Sequence, residues 1–390
     1  MLYTIQEAKD EIKSGIKSYL MKDENGVYRY KETARMPFYL EGPPGIGKTE
    51  IVSQVAKELG IGFVSFTITH HTRNTLLGLP VIVEEENCRY TEYTMSEIIA
   101  KLVQAQKEGF TEGILLLDEF NCASETIFPM MLAMLQTRNI GQYKIPYGWN
   151  LVLCGNPPEY NKSARIFDAV ILDRVRRMKL QMETKEFFRY AEQQNMHPLI
   201  LKYLRLNKFN TYQCQSEGNR ESVVTCRGWE NLSHALYAYE EMGAAISVKL
   251  VEQFLKSEEI AGSFATFYDL NKDGRMEDIL NEMFSKELQD NAVQRLSQKS
   301  VDYIWNLTEQ IVKVLEQTVG KKEKPGATSD KISAVFRVFH LLSNGEMHKE
   351  HFYQMITESG VLCGVMLKVR NEAYLSMCRK SFALEEKKLA

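Results

Sequence analysis

Residues 42–49 read Gly42-Pro43-Pro44-Gly45-Ile46-Gly47-Lys48-Thr49, and no other stretch restricts the possible folds of this chain so strongly. The spacing is G-x-x-x-x-G-K-[ST]. Glycines at these positions let successive backbone N–H groups turn inward on an anion. Lys48 adds a point charge suited to the β- and γ-phosphates of a nucleotide, and the Thr49 hydroxyl suits Mg2+. The helix expected after Thr49 aims its positive end at the same anion.

The flanks agree. Residues 37–41 read as a short strand running into the loop. Beyond it, Ile51, Val52, Val55 and Leu59 recur at helical spacing, and Gly60 suits the helix stop. A second stretch, Gly113-Ile-Leu-Leu-Leu-Asp118-Glu119, is a buried parallel strand ending in two carboxylates. Ligands of open α/β sheets sit at such strand ends. Asp118 is placed to complete a Mg2+ shell, and Glu119 to orient or deprotonate an attacking water. A third apolar run, Leu151 to Gly155, ends at Asn156-Pro157-Pro158. This asparagine either positions that water and senses the γ-phosphate, or caps a turn.

Other segments complete the outline. Thr4 and Glu7 form a capping box that opens a helix to about Met21, expected to pack beside the nucleotide site. Residues 61–69 read as a second core strand, followed by His70 and His71, whose adjacency suits a loop better than a metal site. Residues 79–94 read as a hairpin around 85–87, inserted in an otherwise helical region, and residues 139–149 as another. Residues 124–136 read as a helix with a late start or kink at Pro129, residues 164–173 as helix, and residues 178–181 as a strand. Arg174, Arg176 and Arg177 form a basic cluster. Arg227 sits in the first turn of a helix opening at Thr225, where it opposes the helix dipole and needs a partner such as a phosphate.

From Thr184 the period is helical throughout. Three regions follow: 1–182 as an α/β nucleotide-binding core with its N-terminal helix, 183–287 as a helical lid, and 288–390 as a helical region of unassigned role. Asp269 to Gly274 imitates a calcium loop, but Leu280 stands where that loop needs a bidentate Glu, so a polar turn is expected. Residues 320–330 read as a flexible linker. Glu346, His348, Glu350 and His351 read as an exposed polar stretch rather than a metal site.

Hydrophobic residues make up 44% of the chain and charged residues 25%, an ordinary globular balance, and the net charge of −3 weighs against a nucleic-acid ligand. Seven scattered cysteines without a C-x-x-C pair suit a reducing compartment. No apolar run approaches a membrane span and no signal-peptide pattern opens the chain, so a cytoplasmic protein without membrane contact is expected.

With these motifs in place, the chain resembles the MoxR-type AAA+ ATPases, in the helix-2-insert branch with magnesium-chelatase and dynein-related ATPases. The resemblance spans about residues 1–285. It rests on Gly42 to Thr49, Leu115 to Asn121, Gly155 to Glu159, Leu172-Asp173-Arg174 and Thr225 to Trp229. It implies an α/β fold: a P-loop NTPase AAA+ core with a parallel sheet, an all-α lid and an all-α C-terminal domain. It implies ATP and Mg2+ as cofactors, with Gly42, Pro43, Pro44, Gly45, Ile46, Gly47, Lys48, Thr49, Asp118 and Arg227 at the nucleotide and Thr49 and Asp118 at the metal. Glu119, Asn156 and Arg174 resemble the catalytic glutamate, sensor 1 and a finger acting in trans, and Arg227 resembles sensor 2. The two hairpins resemble the helix-2 insert and the pre-sensor hairpin. The family forms ring hexamers with chaperone-like or metal-insertion roles, often paired with a von Willebrand factor A-type protein. Val175 stands where the family carries Phe, Cys226 where it carries Pro, and Arg176 and Arg177 compete with Arg174 for the finger. A nucleic-acid-dependent motor and a nucleotide-gated assembly scaffold are the alternatives.

Overall fold

The computed structural model describes residues 2–85, 88–217, 220–272, 275–320 and 324–389. It divides into two compact units, residues 1–194 with 225–227 and residues 195–224 with 228–390.

The first unit is built on a six-stranded sheet. After β1 (Leu2–Tyr3), Thr4 caps α1 (Ile5–Tyr19) through the reciprocal box with Glu7. Next come β2 (Phe38–Glu41), α2 (Lys48–Leu59), β3 (Gly62–Thr67) and the short α3 (Arg73–Leu77). The hairpin β4 (Pro80–Glu85) and β5 (Cys88–Tyr93) separates α3 from α4 (Glu97–Lys107), as its β-branched and aromatic runs predict; its turn at 86–87 lies outside the described residues. Then follow β6 (Gly113–Asp118), α5 (Phe128–Thr137), the small hairpin β7 (Asn139–Ile140) and β8 (Tyr143–Lys144), β9 (Trp149–Gly155), α6 (Ala169–Leu172), β10 (Arg176–Leu180) and α7 (Thr184–Gln193). Strand order is β1-β10-β2-β9-β6-β3, and every pairing is parallel. Parallel sheets are covered on both faces, which is why β6 and β9 are continuous apolar runs. Ile114 to Leu117 and Val152 to Cys154 are fully buried. Helix α1 lies along α2, with Lys9 and Lys13 paired to Glu58 at 2.7 and 2.5 Å.

Of the two readings at Pro129 the late start holds: α5 begins at Phe128, because Pro129 fits only the first turn. Two other local expectations for this unit are revised. Residues 164–168 are not helical. The Arg165 amide is drawn to the Asn121 carbonyl at 2.9 Å, and Asp168 accepts from Ile171 N at 3.0 Å, so α6 begins only at Ala169. Strand β10 starts two residues early, since Arg176 N bonds Pro37 O at 2.8 Å and the Arg176 guanidinium lies 4.5 Å over the Phe38 ring.

The second unit is mainly helical: α8 (Pro198–Leu206), then α9 (Cys226–Glu241, whose first two residues group with the first unit), α10 (Val248–Leu255), α11 (Glu258–Asn271), α12 (Arg275–Phe284), α13 (Gln289–Leu296), α14 (Val301–Gly320), α15 (Pro325–Leu341), α16 (Gly345–Glu358), α17 (Gly360–Val369) and α18 (Glu372–Leu389). Tyr203 packs edge to face on Phe264 and Phe267, Trp229 edge to face on Phe264, and Tyr203 lies tilted against Trp229. A second core runs from Leu270 through Leu307, Phe339 and Phe352 to Tyr374. Three expectations fail here. A hairpin, β11 (Gln213–Glu217) and β12 (Arg220–Val224), interrupts the helices, and its turn lies outside the described residues. Residues 325–330 are the first turns of α15, because Pro325 presets a helical φ at N1; residues 321–323 of that linker lie outside the described residues. The calcium-like stretch belongs to α11 up to Asn271, with 273–274 outside the described residues. Glu346 bonds Lys349 at 2.7 Å and Lys380 at 2.9 Å, while His348 is buried rather than exposed. Among the described residues no helix is long and apolar enough to cross a membrane.

Candidate functional site

The phosphate-type loop leaves the centre of the sheet. Glu41 pairs with Gly155, and Gly42 N extends the ladder to Gly155 O at 3.2 Å. Gly45 and Gly47 then take φ of 70° and 99°, a left-handed conformation that side chains rarely adopt. Gly45 also sits against Thr225; a Cβ there would lie 2.8 Å from the Thr225 Cβ. Helix α2 starts at Lys48, so its unpaired N–H groups face the loop.

Lys48 is only 8% exposed. Its Nζ donates to Gly42 O at 2.9 Å, Pro43 O at 2.7 Å and Asn156 Oδ1 at 2.7 Å. Burial pulls its pKa down to about 8, with Asp118 opposing the shift and Arg227 adding to it. A charged amine held this way lacks a strong counter-charge, and phosphate oxygens would supply one.

Thr49 Oγ1 donates to Asp118 Oδ2 at 2.7 Å, and Asp118 Oδ1 accepts from Glu119 N at 2.9 Å. The hydroxyl and the carboxylate are hard oxygen ligands already adjacent, a donor set that fits Mg2+ bound with phosphates. Glu119 follows in the left-handed region at φ 53°, a strained setting for a side chain. Its Oε2 accepts from Thr69 Oγ1 at 2.5 Å. Strands β3 and β6 make this contact possible, since Thr67 is in register with Asp118.

The Asn156 amide points its oxygen at Lys48, which leaves its N–H groups directed elsewhere. Asn121 Nδ2 holds the Asn156 main-chain carbonyl at 2.7 Å. Arg227 reaches the loop through its backbone, N to Gly45 O at 3.2 Å, and its guanidinium is exposed near Lys48.

The structure thus gathers residues 42–49, Asp118, Glu119, Asn156 and Arg227. Arg174 is not among them. Strand β10 runs parallel to β2, with Arg176 beside Phe38 and Lys179 beside Glu41. Arg174 precedes the N-terminal end of β10, whereas the loop leaves the C-terminal end of β2. Arg174 Nη1 donates to Val170 O at 2.5 Å, and with the Gln136 amide flipped its oxygen would accept from Nε and Nη2 at 3.2 and 3.0 Å. Arg176 and Arg177 are instead engaged by carboxylates, Arg176 by Glu11 and Arg177 by Glu41, the latter at 2.9 and 2.5 Å. Thr69, Asn121 and Thr225 received no role from the sequence, although Asn121 ends and Thr225 opens a stretch on which the resemblance rests. His71 packs on Phe66, with Nδ1 3.4 Å from Thr75 Oγ1. Among the described residues no three His, Cys, Asp or Glu side chains converge as a metal group.

Sheet order, loop and carboxylate strand together define a phosphate-loop nucleotide-binding core. Residues 38–136 match the model of the AAA family, the ATPase family associated with various cellular activities. Over 105 residues, 26% of this chain, the sequence is 33% identical to Midasin from Giardia intestinalis. That span is 2% of Midasin's length. A RuvB mutant from Thermotoga maritima aligns with 65% of this chain and 70% of its own, at 14% identity and a TM-score of 0.35.

Proposed function

We propose that this chain binds and hydrolyses ATP as an AAA+ ATPase of MoxR type, working as a ring-forming remodelling factor. The observation that carries the reading is the 2.7 Å contact of Thr49 with Asp118, set beside a buried Lys48 amine that touches Asn156 at 2.7 Å. Two side chains from the start of α2 and one from the end of each of β6 and β9 meet at one loop mouth, and together they suit a triphosphate.

Loop N–H groups and Lys48 would hold the phosphate oxygens, while Thr49 and Asp118 would hold Mg2+, whose chemistry there would be neutralisation of phosphate charge. The Glu119 carboxylate takes a proton from the attacking water as its oxygen bonds the γ-phosphorus and the bridge to the β-phosphate breaks. Asn156 orients that water through its N–H groups. Arg174 lies at the sheet end away from its own loop, so the loop it serves is that of a second copy. Neutral oxygens hold it, which leaves its charge available there. Arg227 meets the loop through its own backbone amide; residues 183–287 are read as a lid and residues 288–390 as a further helical region. A von Willebrand factor A-type partner or a protein client, and a cytoplasmic setting, belong to the same reading.

ATP turnover measured against protein concentration, with light scattering, tests it. Turnover should rise with assembly, Glu119→Gln should assemble without turnover, and a mixture of Glu119→Gln and Arg174→Ala should regain activity. Concentration-independent turnover by a monomer would overturn the assignment of Arg174.

A further inference from the structure

Asn121 is fully buried where two segments of the site meet. Its Nδ2 donates to Asn156 O at 2.7 Å, and its own carbonyl accepts from Arg165 N at 2.9 Å. Its neighbour Cys122 accepts from Asn161 Nδ2 at 3.2 Å. The turn Phe120–Cys122, which starts directly after Glu119, is therefore tied at three points to the chain leaving β9. Gly155 makes the approach possible, since a Cβ there would stand 2.3 Å from Asn121 Oδ1.

We infer that Asn121 is a positioning residue for ATP hydrolysis, its amide setting the spacing between the Glu119 carboxylate and the Asn156 side chain without touching nucleotide. This role rests on the hydrolytic reading above. Cys122 N bonds Glu119 O at 2.9 Å, so Glu119 and Asn121 share one rigid turn. The carbonyl that Asn121 grips belongs to Asn156 itself, so the grip fixes the backbone from which that side chain projects. In a buried setting the amide has no water to replace it, so its loss leaves the Asn156 carbonyl unpaired and free to move. Displacements near 1 Å in a reacting constellation cost about a hundredfold in rate.

Two variants test the role in the full-length chain. Asn121→Leu has nearly the same shape and cannot donate; kcat should fall about ten- to a hundredfold, with ATP affinity within twofold of wild type. Asn121→Asp donates only while its buried carboxyl is protonated, and burial favours that form. Its kcat relative to wild type should therefore climb several-fold from pH 8 to pH 6, while the Asn121→Leu ratio stays flat. Unchanged kcat in both variants overturns the role, as does a parallel loss of kcat, affinity and melting temperature with no pH recovery, which marks a purely structural residue. A wild type that binds ATP without turnover sinks the hydrolytic reading and this role together, an outcome distinct from the other two.

Discussion

The Lys48 ammonium and the Asn156 amide oxygen stand 2.7 Å apart although 108 residues separate them in the chain. The bond orients the asparagine, oxygen toward the cation and N–H groups away from it. It also occupies a charge whose pKa burial has lowered to about 8. Phosphate would compete for the same amine.

ATP affinity should consequently depend on pH above neutrality. Between about 8 and its usual 10.5, the folded, empty site binds fewer protons at Lys48 than the unfolded chain does, so this group's contribution to stability rises with pH across that window. Bound phosphates raise the amine's pKa again, so binding takes up a proton above pH 8. Affinity should fall about tenfold from pH 7 to pH 9. Calorimetry in buffers of different ionisation enthalpy reads the proton directly, and a flat profile would contradict the burial of Lys48 as a determinant.

Thr69→Val should raise basal turnover several-fold at unchanged ATP affinity. The Thr69 hydroxyl donates to Glu119 Oε2 at 2.5 Å and holds the carboxylate in that orientation, so its loss frees the side chain to turn toward the water. Steady-state kinetics decide; a fall in kcat would mean that Thr69 holds Glu119 in its working position.

Gly45→Ala and Gly47→Ala separate backbone strain from contact. Both positions have positive φ, so each alanine should cost about 1 kcal/mol in chemical denaturation. Only Gly45 faces Thr225, at 2.8 Å, whereas a Cβ at Gly47 meets open space. ATP affinity should drop further in Gly45→Ala, because the methyl group displaces the segment that carries Arg227. Equal losses would remove that segment from the site.

Leu116→Ala should destabilise the sheet-bearing unit by about 2–5 kcal/mol, the usual range for a buried leucine. Leu116 is fully buried in β6, between β9 and β3. The loss should appear as a lower urea midpoint, and the strand that carries Asp118 should lose nucleotide affinity with it.

Much of the site is legible where a motif is contiguous. Gly42 to Thr49 and Ile114 to Glu119 encode loop and strand locally, through glycine torsions and apolar β-formers bounded by polar ends. Asn156 is visible as the polar tip of an apolar run. The misreadings share a cause. Residues 164–168 look helical, but the Arg165 amide is taken by a carbonyl 44 positions earlier, in the turn after β6. Residues 213–224 lack an apolar alternation, and their strand pairing shows only in three dimensions. Residues 325–330 look like a linker by composition, yet Pro325 opens a helix whose later residues Ile332, Val335 and Phe339 are buried.

Short-range chemistry, then, settled the phosphate-type loop, the carboxylate strand and the helix caps, because each depends on residues within about one turn or one strand of each other. The tertiary structure decided which distant groups share a hydrogen bond: Thr69 with Glu119, Asn121 with Asn156, and Gly45 with the Arg227 backbone. Such pairings depend on strand order and register, and those follow from packing the whole sheet rather than from any local run of residues.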